Sequence, residues 1–147
     1  MNKKINKAVD VLRSGGTVVF PTETSYGLAV DATNHQAVDR LMKIKGRGSK
    51  TLSVIVSSLA MAKQYVRVEG LAWKLARQFW PGPLTIVLPI LGKDARKGVN
   101  RNDILTDVFP KHCIKDNQIA IRVSAHPIAR ELSKQLGRPI TATSANR

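Results

Sequence analysis

The feature that most constrains the fold of this chain is the recurrence of short, apolar, β-branched runs. They read "TVVF" (17–20), "YGLAV" (26–30), "LSVIV" (52–56), "LTIVLP" (84–89), "IAIRV" (119–123) and "PITAT" (139–143). Each is strand-length and bounded by Gly, Pro, Ser or Thr. Between them lie stretches with apolar residues at helical spacing. Ile5, Ala8, Val9 and Leu12 form one such stripe, and Ala37, Val38, Leu41 and Met42 a second. Leu71, Leu75, Ala76 and Phe79 form a third, and Ile128, Leu132 and Leu136 a fourth. Strands interleaved with amphipathic helices give an α/β chain of the α+β type. Several strands follow one another too closely for helical crossovers, so the sheet is expected to be mixed rather than purely parallel.

The boundaries come from the punctuating residues. A helix over 4–14 ends at Gly15-Gly16, and Pro21 closes the first strand because it has no N–H for a ladder. Thr33 or Asn34 caps the second helix. Further helices are expected at about 58–66 and 70–79, and His126-Pro127 opens a last one that Gly137 stops. Residues 91–118 have no clear period, and a tract that long inside a compact domain is either functional or mobile. No internal repeat, low-complexity tract or linker divides the chain, so residues 1–147 read as one domain.

Charge is where the composition departs from an ordinary globular protein. There are 24 Lys plus Arg against 10 Asp plus Glu, a net +14. Such a field attracts polyanions. The lone Cys113 excludes an internal disulfide and a cysteine-built zinc site. The basic N-terminus lacks the apolar core of a secretory signal, and no run approaches the length of a membrane span. The chain therefore reads as a soluble, cytoplasmic protein.

Four polar clusters follow predicted strands: "PTETSYG" (21–27), "KGRGS" (45–49), "RVSAHP" (122–127) and "TSAN" (143–146). Loops at strand ends carry ligand-binding groups in α/β proteins. Taken singly, "PTET" is also an ordinary turn and "TSAN" an ordinary helix cap. Arg40, Lys43, Lys45, Arg47 and Lys50 gather around "KIKGRGSKT", a concentration of cations that calls for an anion among them. Neither a Walker loop nor G-x-G-x-x-G is present. His35, His112 and His126 lack metal-ligand spacing and read as structural or surface residues. Trp73, Phe79 and Trp80 read as core rather than as a base-stacking platform, and Cys113 is not a favoured nucleophile. Cations with hydroxyls suit phosphoryl or nucleotidyl transfer, where positioning and charge neutralisation do most of the work.

Taken in order, "PTETSYGLAVDA", "KIKGRGSKTLSVIV", "WPGPLTIVLP" and "IAIRVSAHPIARELSKQLGRPITATSAN" resemble the YrdC family of threonylcarbamoyl-AMP synthases, from about residue 5 to 146. The resemblance implies a single YrdC/RibB-like domain, a twisted mixed β-sheet flanked by helices with an open, basic, concave cleft. It implies that L-threonine, bicarbonate and ATP, with Mg2+, give threonylcarbamoyl-AMP and pyrophosphate. A separate tRNA threonylcarbamoyl transferase would then use the product to modify adenosine 37 of tRNA. The family's K-x-R and S-x-N signature falls on Lys45, Arg47, Ser144 and Asn146. Lys45 and Arg47 are the expected catalytic pair and phosphate ligands, with Ser144, Asn146 and Thr85 on the ATP side. Thr22 and Arg122 are expected in the threonine pocket, Arg122 gripping the carboxylate in a bidentate fork. No metal-binding residue is expected and no general base is evident, although Glu23 is a candidate.

This sequence departs from the family pattern at "GSKTL" after Arg47, where relatives carry a proline and one more residue, and its polar tract over 91–118 is longer. Family members also continue past "SAN", so the expectation is a domain lacking those C-terminal elements. Two other readings compete. One is a non-catalytic module that binds tRNA or double-stranded RNA through the same basic cleft. The other is a carbamoyl-adenylating domain like that of hydrogenase maturation proteins.

Overall fold

A computed structural model describes residues 3–23, 25–46, 51–91 and 108–145. Helix α1 (Lys3–Arg13) leads into a hairpin of β1 (Val18–Pro21) and β2 (Tyr26–Ala29), and α2 (His35–Lys45) follows. Then come β3 (Ser53–Val56), the short α3 (Leu59–Ala62), α4 (Leu71–Phe79) and β4 (Ile86–Pro89). A 3-10 turn at Lys111–Cys113 precedes β5 (Gln118–Val123), α5 (Pro127–Leu136) and β6 (Ile140–Ser144). The strands form one sheet in the order β1-β2-β6-β3-β5-β4. Only β3 and β5 are parallel neighbours; the other pairings are antiparallel. The mixed sheet expected from the close strand spacing is present.

Alternation along the central strand explains the layering. Val54 and Val56 pack on one face with Ala37, Val38, Leu41 and Met42 of α2. Ile55 points to the other face, where it joins Val9 and Leu12 of α1 and Ala129, Leu132 and Leu136 of α5. Because β3 is buried on both sides, its sequence reads as a continuous apolar run rather than an alternating one. Asn34, not Thr33, caps α2, its side chain accepting from the Ala37 N–H. Gly46 ends that helix at φ 60°, a left-handed conformation that favours glycine, and its N–H bonds to the Met42 carbonyl. Lys45 is thereby held on the last turn.

Three sequence expectations change. Leu71 and Phe79 were expected in the core, yet they are 71% and 45% exposed, and only Ala76 of α4 is fully buried. The helical stripe is real, but the short neighbouring elements cover only its centre. The predicted helix over 58–66 contracts to α3, because Val66 pairs with Ile90 as an isolated bridge. Within the aperiodic tract, Phe109 and Cys113 are fully buried, with Phe109 edge-on to Tyr65. A 3-10 turn is too short to leave a periodic signature. The remainder of that tract, 92–107, lies outside the described residues.

Candidate active site

The apolar face covered by α1 and α5 gives way, towards one end of the sheet, to small and polar residues. Ser53 pairs with Ala142 and Gly27 with Ser144, on the same side of the sheet as Ile55 and Ile140. Bulk is missing there, and a cleft of about 220 Å³ results. Thr22, Tyr26, Gly27, Ser53, Thr85, Arg122 and Ser144 are among its walls. Gly27 permits a close approach: a Cβ on it would lie 3.0 Å from the Phe20 ring.

Two of the sequence clusters are joined by Glu23, which pairs with Arg122 of the cleft wall. Its backbone is exposed in the β1–β2 turn, but its side chain folds inward and keeps only 18% of its surface in water. One carboxylate oxygen, Oε1, pairs with Arg122 Nη1 at 3.1 Å. The other, Oε2, accepts from the Ser124 hydroxyl at 2.8 Å and from the Ala125 and His126 N–H groups. Those N–H groups stand at the start of α5, where a carboxylate is favoured. Partial burial pushes the Glu23 pKa up, but the Ser124 hydroxyl, the Ala125 N–H, the Arg122 charge and the His126 N–H together hold it below the ordinary 4.5. Such a carboxylate is a poor general base and a good clamp. Glu23 was considered at the sequence level for the base; its geometry assigns it to holding Arg122.

The turn itself is closed by Thr22, whose N–H and hydroxyl both donate to the Ser25 carbonyl, at 2.9 and 2.7 Å. Thr22 lines the cleft while also fixing the loop that carries Glu23. On the far side, Lys45 Nζ donates to the Ser144 carbonyl at 2.7 Å. The first members of the two signature motifs, 99 residues apart, therefore meet. Thr85 lines the cleft opposite the hairpin. Arg47 and Asn146 lie outside the described residues. Of the neighbouring cations, Arg40 turns away and donates to the Gly15 carbonyl at 2.6 Å.

Ser25, Tyr26 and Thr143, which lie in the clusters quoted from the sequence but were given no role there, also line the cleft, as does Ser53, which lay outside them. Their only signal was position at strand ends. His126 is structural: its Nδ1 accepts from the Ile128 N–H and caps α5. His112 lies 3.3 Å from Asp39. Burial raises the Cys113 thiol to about 12, which leaves it unreactive. Trp80 packs in the core, whereas Trp73 lies beneath the cationic ends of Lys63 and Arg77. Among the described residues no three His, Cys, Asp or Glu side chains gather to hold a metal ion, and no helix is long and apolar enough to cross a membrane.

Comparison with known proteins gives the chain a family. A family model described as "Telomere recombination", the Sua5/YciO/YrdC model, matches residues 10–147. The chain belongs to the Sua5/YciO/YrdC family. Within that family it is 36% identical over 151 residues to the threonylcarbamoyl-AMP synthase of Coxiella burnetii, covering 98% of this chain and 71% of that protein. It is 32% identical over 148 residues to the enzyme of the same name from Aliivibrio fischeri, covering 98% of this chain and 72% of that one. A crystal structure of P. abyssi Sua5 complexed with L-threonine superposes with a TM-score of 0.81 at 36% identity. That match covers 97% of this chain and 38% of the Sua5 chain, so this chain spans well under half the length of that relative.

Proposed function

We propose that the cleft joins L-threonine, CO2 drawn from bicarbonate, and ATP into threonylcarbamoyl-AMP, the first step of threonylcarbamoyl modification of tRNA. The neutral amine of threonine attacks CO2, giving a carbamate and a proton. A carbamate oxygen then attacks the α-phosphorus of ATP. The bond to the bridging oxygen breaks, and pyrophosphate leaves with the electron pair. The step is a nucleotidyl transfer, and its demands are alignment and stabilisation of charge on the leaving group.

The residues divide accordingly. Arg122 commits Nη1 to its ion pair with Glu23 and keeps other donors of its fork for the threonine carboxylate. Thr22 belongs to the same pocket. Lys45 and Arg47 neutralise the phosphates, with Thr85, Ser144 and Asn146 on the nucleotide side. Mg2+, when bound, would be held by the triphosphate oxygens, the hard ligands it prefers, since no three His, Cys, Asp or Glu side chains gather for it among the described residues. The product is a mixed anhydride, suited to consumption by a tRNA threonylcarbamoyl transferase, and we place this work in the cytoplasm.

One observation carries the reading: Arg122 and Ser144, the partner of Lys45, line a single cleft in a chain similar to a Sua5 structure that holds L-threonine. Pyrophosphate release tests it, and should require threonine and bicarbonate together. Release that ignores threonine would refute the threonine assignment, and none at all in a folded protein that binds RNA would replace the enzyme with the RNA-binding alternative. Arg122→Leu separates the subsites by calorimetry. Threonine binding should be lost while ATP binding stays within a few-fold, and loss of ATP alone would reverse the partition.

A further inference from the structure

A second recess, of about 300 Å³, lies beyond the carboxyl ends of β3 and β5. These are the only parallel neighbours among the described strands. The chain leaves β3 through Ser57 and Ser58 into α3, and leaves β5 through residues 124–126 into α5. The crevice outside the carboxyl ends of parallel strands is where open α/β sheets accept ligands. The recess does not overlap the cleft. Neighbouring residues of β5 serve the two: Arg122 lines the cleft and Val123 the recess.

Two arginine side chains are part of the recess wall, Arg77 from α4 and Arg130 from α5. Arg77 lies over the Trp73 ring, 5.4 Å from its centroid. Arg130 rests its Nε against the Ser57 carbonyl at 3.4 Å, which leaves its two terminal nitrogens for other partners. Neither takes part in an ion pair among the described residues, and no acidic side chain lines the recess. Two cations on the wall of one recess repel each other, and an anion between them removes that repulsion. The rest of the wall is largely apolar, with Leu59, Val123 and the Trp80 indole. The indole offers ring surface rather than a donor, because its Nε1 already donates to the Leu84 carbonyl at 2.7 Å.

From this arrangement we propose that the recess is a second ligand site, separate from the cleft, for a small organic anion. The head is a phosphate or carboxylate held between Arg77 and Arg130, and the body is apolar or aromatic and lies against Leu59, Trp80 and Val123. A bare inorganic anion satisfies the guanidinium groups but leaves the apolar wall wet, so the site discriminates in favour of the body.

The test titrates the full chain with phenyl phosphate, benzoate and inorganic phosphate, following tryptophan fluorescence. The protein has 2 Trp; Trp80 lies in the wall and reports on the recess directly, whereas Trp73, outside the wall, reports on Arg77 above its ring. Phenyl phosphate or benzoate should saturate at a Kd about tenfold or more below that of inorganic phosphate. Whichever of the two binds more tightly identifies the head, and either result supports the site. Arg77→Gln and Arg130→Gln should each weaken that ligand by about tenfold. Saturating threonine and ATP should leave it within about twofold, since the cleft and the recess share no lining residue. The proposal is overturned if no probe saturates or if phenyl phosphate and benzoate bind no better than phosphate. It is equally overturned if affinity survives both glutamine variants or is abolished by saturating threonine and ATP. Unchanged thermal midpoints of the variants confirm that the fold is intact, and Arg77→Lys with Arg130→Lys, which keep charge but lose the fork, should fall between wild type and the glutamine forms.

Discussion

Glu23→Gln isolates the charge of the residue that ties the cleft together. Glutamine keeps an oxygen that can accept from Ser124, Ala125 and His126, but it turns an amide towards Arg122 and removes the ion pair. Breaking a fully buried pair costs about 3–5 kcal/mol. Here the side chains are 18% and 11% exposed, so solvent screening lowers the expected loss to about 2 kcal/mol. For a domain of this size that is a fall in Tm of about 6 °C. The pH dependence has a definite sign. The folded-state pKa of Glu23 is depressed below 4.5, so its contribution is complete above that value and is lost as pH falls through the depressed pKa. Urea denaturation of wild type and Glu23→Gln should therefore differ at pH 7 and converge in acid below the ordinary carboxylate range. In activity assays, the same variant should raise KM for threonine while leaving KM for ATP unchanged, because Arg122 loses its fixed orientation. Equal stability at pH 7, a gap that persists in acid, or an effect on ATP alone would refute the clamp.

Other expectations follow from the same geometry. Lys45→Met should remove pyrophosphate release by about 3 kcal/mol of transition-state stabilisation with Tm nearly unchanged, because the side chain's observed partner is the Ser144 carbonyl rather than the core; full turnover in a folded variant would remove Lys45 from the phosphate site. If the net +14 serves RNA contact, tRNA affinity should fall with salt at roughly 0.9 log units per phosphate met. Lys3, Lys4, Lys111 and Lys115 are exposed described residues that would carry part of that slope, and salt-independent binding would exclude it. Cys113, with its thiol raised to about 12, should resist maleimide labelling at pH 8 until the chain is unfolded, and rapid labelling of the native protein would contradict its burial.

Local regularities set what could be read from one dimension. Strand-length apolar runs, helical stripes and the caps at Asn34, His126 and Gly137 depend on neighbours a few residues away, so they are legible before any folding is considered. The same holds for the motifs that place the chain in its family, since their order and spacing are properties of the string. What only the tertiary structure decided is partnership. Nothing near Glu23 in the sequence indicates that its carboxylate will cap α5 and pair with Arg122, because those groups lie about a hundred residues away. Lys45 and Ser144 are recognisable as motif residues, but their contact depends on β6 inserting between β2 and β3, a long-range pairing. Leu71 and Phe79 show the converse. Their spacing specifies a helix, while burial depends on how far the neighbouring elements extend, and here they stop short. A side chain's chemistry is carried by its own residue, but its protonation, orientation and exposure are set by whatever the fold brings against it.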